Sequence, residues 1–170
     1  MEQQMKKKRR ILILEDDGED RELMKIALEK AEYKDMEDFC FYAESKALLE
    51  AIDENSETLV LDNMLSEGGK TGLDVLKEIK STHPFRLFYP IIISGHITAT
   101  ESIQYQKNGA KDIIEKDREG TYLELIESIK EGETYIRSEK EKAQIIQNLE
   151  DWANDLPDRI KILKNDKRAD

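Results

Sequence analysis

Four short apolar runs, Ile11-Leu12-Ile13-Leu14, Thr58-Leu59-Val60-Leu61, Ile91-Ile92-Ile93 and the weaker Ile113-Ile114, constrain this chain more than any other feature. Each is strand-length, rich in β-branched residues or leucine, and continuous rather than alternating. That pattern belongs to strands covered on both faces. A fifth candidate, Phe39-Cys40-Phe41-Tyr42, lies between the first two. Between the runs, apolar residues recur at helical spacing. Residues 21–31 carry Leu23, Ile26, Ala27 and Lys30; residues 45–54 carry Leu48, Leu49 and Ile52; residues 73–79 carry Leu73, Leu76 and Ile79. Residues 99–107 are short and weakly apolar, and residues 122–130 carry Leu123, Ile126 and Ile129. Five strands alternating with five helices call for a parallel sheet with helices on both faces, a doubly wound α/β fold.

A parallel sheet fixes where chemistry can occur. Every strand ends at the same edge, and ligands of open α/β sheets bind there. Glu15, Asp16 and Asp17 follow the first run, Asp62 the second, Ser94 the third and Lys116 the last. Singly, each has an ordinary structural reading: Asp16 or Asp17 as a helix cap, Asp62 in a turn, Ser94 as a cap, Lys116 on the surface. Together they form an acidic cluster with one ammonium and one hydroxyl. Clustered carboxylates raise one another's pKa unless a cation neutralises them. A magnesium ion held by a few carboxylates and waters would do so while leaving positions for phosphate oxygens. A carboxylate screened in this way can attack phosphorus and become an acyl phosphate. Lys116 would neutralise the arriving phosphoryl oxygens, and Ser94 would donate to one of them.

These residues resemble a known family. The run from Ile11 through Glu15-Asp16-Asp17-Gly18-Glu19-Asp20-Arg21 resembles the opening of response-regulator receivers, where an acidic pair precedes the first helix. Leu59-Val60-Leu61-Asp62-Asn63-Met64-Leu65 is similar to their phosphoacceptor strand, and Gly72-Leu73-Asp74-Val75-Leu76 to the start of their third helix. Pro90-Ile91-Ile92-Ile93-Ser94-Gly95 and Gly109-Ala110-Lys111-Asp112-Ile113-Ile114-Glu115-Lys116 resemble their fourth and fifth strands. The resemblance implies a five-stranded flavodoxin-like sheet of order 2-1-3-4-5. It also implies a two-component phosphorelay role, with Asp62 as phosphoacceptor. Magnesium would be held by Asp16, Asp62, the backbone carbonyl of Met64 and Glu15, the last through water. Ser94 and Lys116 would stabilise the phosphoryl group. The donor would be a sensor histidine kinase or a histidine phosphotransfer protein.

The chain departs from the family at several points. Residues 66–71 are longer than usual and lack the common proline. Asp117 stands where a proline usually fixes the turn, and Ile113 stands where a switch aromatic is frequent. Switching is therefore assigned to Ile113, Gly95 and His96. His96 is read either as a tuner of dephosphorylation or as a solvated loop residue, and His83 before Pro84 as loop.

Composition bounds the remaining possibilities. A net charge of −11 over 170 residues argues against a nucleic-acid surface. No apolar stretch is long enough to span a membrane, and residues 1–10 lead into no signal-peptide core. The single cysteine, Cys40, excludes an intrachain disulfide and reads as a small buried hydrophobe. A cytoplasmic location is the default expectation. The expected organisation is a basic tail (1–7), a receiver (8–131) and a helical C-terminal extension (132–170). Within the extension Ile145, Leu149, Trp152, Leu156, Ile160 and Leu163 form an apolar stripe, and Pro157 should break or restart the helix. The stripe reads as an arm for homodimerisation or partner docking, or as a segment folded back onto the receiver.

Two rival functions remain. Hydrolases of the haloacid dehalogenase type resemble Asp-x-Asp after a strand, but Met64 occupies the acid/base position and cannot transfer a proton. A receiver-like scaffold that binds partners without phosphorylation is the other, and the retained acids and lysine count against it.

Overall fold

The computed structural model describes residues 9–31, 39–66, 68–116 and 119–166, and side chains as far as residue 157. The expected basic tail, Asp117 and the side chains of Ile160 and Leu163 lie outside the described residues. Among the described residues ten elements alternate: β1 (Arg10–Leu14), α1 (Gly18–Lys30), β2 (Phe39–Tyr42), α2 (Ser45–Ala51) and β3 (Ser56–Asp62) come first. They are followed by α3 (Gly72–Thr82), β4 (Tyr89–Ser94), α4 (Ala99–Lys107), β5 (Asp112–Glu115) and α5 (Thr121–Asp166). All four strand pairings are parallel, in the order β2-β1-β3-β4-β5. This is the doubly wound order expected for the sequence.

The two faces of the sheet separate by the alternation of side chains along each strand. Leu12, Leu14, Leu59, Leu61 and Ile92 pack in one cluster with Leu48 of α2, Val75, Leu76 and Ile79 of α3, and Tyr105 of α4. The alternate residues Ile11, Ile13, Val60, Ile91 and Ile93 are equally buried and point the other way. Met24 and Leu28 of α1 and Leu125, Ile126 and Ile129 of α5 are buried outside that cluster, on the opposite side. Gly132 brings α5 close to the sheet: a Cβ there would stand 2.7 Å from Tyr89 Cδ1.

Local chemistry sets the helix starts. Asp17 accepts hydrogen bonds from the amides of Glu19 and Asp20, so α1 begins at Gly18, earlier than its apolar spacing alone indicated. Capping boxes of Thr71 with Asp74 and of Thr98 with Glu101 open α3 and α4.

The apolar spacing misplaces the buried face of α1 and one residue of α5. On α1, Leu23 and Ile26 are exposed while Met24 and Leu28 are fully buried; on α5, Leu123 is exposed. Cys40 is only half-buried, with its Sγ 3.5 Å from the Arg10 guanidinium. Pro157 does not end a helix either, for it lies inside α5. It removes one hydrogen bond to the carbonyl of Ala153. The residues around that carbonyl are exposed, so water can replace the lost donor.

The chain divides into two compact units with the boundary between Thr134 and Tyr135, and α5 contributes residues to both. In the second unit Ile145, Ile146, Leu149 and Trp152 are exposed. Among the described residues, no helix is long and apolar enough to cross a membrane.

Candidate functional site

Strand register decides which side chains meet. Leu14 pairs with Leu61, Asp62 with Ile93, and Ser94 with Glu115, so the ends of β1, β3, β4 and β5 are aligned. The ladder runs one residue past the strands: the Asn63 amide donates to the Ile93 carbonyl at 2.9 Å, and the Lys116 amide to the Ser94 carbonyl at 2.7 Å. Glu15, Asp62 and Lys116 therefore arrive at one height despite their separation in sequence.

At that edge Lys116 Nζ lies 2.6 Å from Glu15 Oε2, 2.9 Å from Asp20 Oδ2 and 3.1 Å from Asp62 Oδ1. The first two contacts are hydrogen bonds. The third is an ion pair without hydrogen-bond alignment, and Asp62 Oδ1 is buried with no hydrogen-bond partner. Glu15 is 0 % exposed and Asp62 2 %. One carboxylate oxygen from each of Glu15, Asp16 and Asp62 lies within 4.8 Å of the others. Asp16 is half-buried, and its Oδ2 accepts from the Ser66 amide at 2.7 Å. Gly95, Met64 and Ser66 join these acids and Lys116 around an open cleft of about 750 Å³.

Burial sets the charge states. It pushes Glu15 up from an ordinary 4.5 to about 7, aided by the charge of Asp62 and opposed by the Lys116 hydrogen bond. Burial also raises Asp62, against the nearby Lys116 charge. On Lys116 burial pulls downward, but hydrogen bonds to Asp20 and Glu15 and the charge of Asp62 prevail, so the ammonium is held above its ordinary range. For Asp16 the hydrogen bonds from Ser66 outweigh burial and hold the carboxyl below its usual range.

Ser94 is fully buried beside this cluster. Its Oγ donates to the His96 carbonyl at 3.0 Å and accepts from Asn63 Nδ2 at 3.5 Å. Asn63 Oδ1 in turn accepts from the Tyr105 hydroxyl, which projects inward from α4. Burial raises the Tyr105 phenol to about 12, so it remains a donor at neutral pH.

Two of the residues assigned to switching lie around this cluster. Ile113 pairs with Ile92 in the sheet and packs against the core, while the His96 side chain is exposed and only its carbonyl reaches Ser94. Met64 bridges Thr71 through its backbone and exposes 71 % of its surface.

Three participants escaped the sequence reading: Asp20, Asn63 and Tyr105. Asp20 stands in the first turn of α1, three residues after the Asp17 cap, in a run of acids that the sequence reading ended at Asp17. Asn63 was hidden by its neighbour Asp62, and Tyr105 by the weak apolar pattern of α4.

A profile of the family described as response regulator receiver domain matches residues 11–130. Comparison with curated proteins returned no match. Among solved structures, the chain is similar to a response regulator receiver domain protein from Methanospirillum hungatei (23% identity, TM-score 0.63), covering 77% of this chain and 98% of that one. It is similar also to the receiver domain of NtrX from Brucella abortus (27% identity, TM-score 0.59), covering 72% of this chain and 96% of that one. A receiver domain protein from Clostridium thermocellum shows 21% identity and a TM-score of 0.63, with 76% and 97% covered. The profile match spans most of the chain, and the sheet order and strand-end cluster accord with it: this chain belongs to the response regulator receiver domain family.

Proposed function

We propose that the chain is a single receiver in two-component signalling that takes a phosphoryl group onto Asp62 from a phosphohistidine. The donor would be a sensor histidine kinase or a histidine phosphotransfer protein in the cytoplasm. One observation carries this reading: Asp62 Oδ1 is buried and lacks a hydrogen-bond partner, yet sits 3.1 Å from the Lys116 ammonium. Leaving a buried carboxylate oxygen unsatisfied is costly, and such atoms concentrate where chemistry needs them.

The donor set also fits a divalent cation. Glu15, Asp16 and Asp62 offer hard oxygen ligands that cluster closely, and the orphaned Asp62 oxygen would gain a partner. Asp16 and Asp62 would hold magnesium, with the Met64 carbonyl and, through water, Glu15. When bound, the ion offsets negative charge between the carboxylates and the phosphoryl oxygens.

In the transfer an Asp62 carboxylate oxygen forms a bond to phosphorus as the phosphorus–nitrogen bond of the donor breaks. The electron pair leaves with the imidazole. Lys116 offers its charge to one phosphoryl oxygen. Ser94 offers its hydroxyl to another, which requires that its proton leave the His96 carbonyl. The protein acts on its own side chain rather than turning over a separate substrate.

Intact-mass measurement after incubation with acetyl phosphate and magnesium tests this reading. One added phosphate is expected on the wild type, with none on Asp62→Asn and none in the presence of chelator. An unmodified wild type across several acyl-phosphate and phosphoramidate donors would favour a scaffold that only binds.

A further inference from the structure

Lys116 spends two of its three donors on carboxylates other than the proposed phosphoacceptor. Its ammonium has three N–H donors. Glu15 Oε2 takes one at 2.6 Å and Asp20 Oδ2 takes another at 2.9 Å. Asp62 Oδ1, at 3.1 Å, receives no hydrogen bond. The resting ammonium is therefore aimed at two carboxylates that do not accept phosphate.

The two partners differ in their freedom to let go. Glu15 is fully buried, its other oxygen accepts from the Asp17 amide at 3.2 Å, and its own carbonyl is held by Arg21 at 2.7 Å. Turning it away would bury a carboxylate without partners. Asp20 lies in the first turn of α1 with about a third of its side chain exposed, and it lines the open cleft beside Lys116. Its carboxylate can rotate into water at little cost. Asp20 is thus the releasable partner.

Building on the phosphoacceptor reading of Asp62, we propose that Asp20 is a positioning residue that turns the Lys116 N–H groups away from Asp62, leaving an ion pair without an aligned hydrogen bond, and restrains phosphoryl transfer. Opening the Asp20–Lys116 bond frees a second N–H and lets the ammonium swing toward an incoming phosphoryl oxygen. Asp20 thereby sets the reactivity of the resting receiver without touching phosphorus.

The test is a timed intact-mass assay with acetyl phosphate and magnesium on the full chain. It compares wild type, Asp20→Asn, Asp20→Glu, Lys116→Ala and the double variant Asp20→Asn/Lys116→Ala. Asp20→Asn keeps an acceptor but removes its charge, and transfer is expected to quicken about tenfold, the scale of one partly exposed charge-assisted hydrogen bond. Asp20→Glu, which keeps the charge, should stay near the wild-type rate. The gain must also vanish when Lys116 is absent, because the effect acts through that side chain.

A rate for Asp20→Asn equal to or below wild type overturns the proposal. So does a gain that persists undiminished in the Lys116→Ala background, which would mean that Asp20 simply repels an anionic donor. Wild type that takes up no phosphate under any donor, with Asp20 variants equally silent, overturns the phosphoacceptor reading itself. Labelled wild type with an unaltered Asp20→Asn rate overturns only the role given to Asp20.

Discussion

Glu15 makes the protein's stability depend on pH in a direction opposite to that of most surface acids. Its carboxyl is fully buried, and burial lifts its pKa from 4.5 to about 7 in spite of the Lys116 hydrogen bond. Below about pH 4.5 it is protonated in both folded and unfolded chains, and the environment costs nothing. Between 4.5 and 7 the folded chain keeps the proton that the unfolded chain gives up. Stability therefore falls as pH rises through that window, and levels off above it. The rise corresponds to roughly 3 kcal/mol of lost stability when the group is fully titrated. Urea unfolding in metal-free buffer across this range, on wild type and Glu15→Gln, measures it. Glutamine mimics the protonated acid, so the variant should lack most of the decline. Burial, the main cause of the Asp62 rise, is unaltered by Glu15→Gln, so the difference between the chains mainly reports Glu15. Excess magnesium should stabilise the wild type more near pH 8 than near pH 5, because the ion requires the carboxylates without their protons. Parallel pH profiles for the two chains in chelator would refute the assignment of a buried, proton-retaining Glu15.

Other substitutions probe how closely the fold is fitted around the site. Gly72→Ala would place a Cβ 2.5 Å from the Asp62 carbonyl oxygen, a backbone atom that cannot step aside. A loss of about 1–3 kcal/mol in thermal unfolding and slower labelling of Asp62 are expected; an unchanged melting temperature would contradict this close approach. Gly132→Ala would press on the Tyr89 ring and should cost a similar amount, about 1–3 kcal/mol. Adding Tyr89→Leu should recover part of that loss in denaturant melts, and no recovery would point to another cause. Tyr105→Phe strips the donor from the buried Asn63 Oδ1, with an expected cost of about 1–3 kcal/mol in urea unfolding. An unaffected midpoint would mean that the amide finds another partner.

The sheet was legible because strands buried on both faces need unbroken apolar runs. Ile11 to Leu14 and Ile91 to Ile93 announce themselves without any alignment, and the placement of Asp62, Ser94 and Lys116 follows from where such runs end. Helix faces were harder. Leu23, Met24, Ile26, Ala27 and Leu28 offer α1 two overlapping apolar stripes, and only packing against the sheet selects Met24 and Leu28. Asp20 and Tyr105 were missed for a related reason. Each reaches the site across space from a helix whose rotation the sequence leaves open. Pro157 shows the limit of a rule about local hydrogen bonding, because one lost donor in an exposed stretch does not stop a long helix.

The hydrogen bonds that carry Asn63 and Lys116 one step beyond the strands separate what is fixed from what is adjustable. Main-chain positions around Asp62 are locked to β4, so substitutions at this rim act through side-chain identity and rotamer. If Asp62 takes a phosphoryl group as proposed, its rate and lifetime become adjustable by exchanging single residues at the rim, while the scaffold that aims them stays as it is.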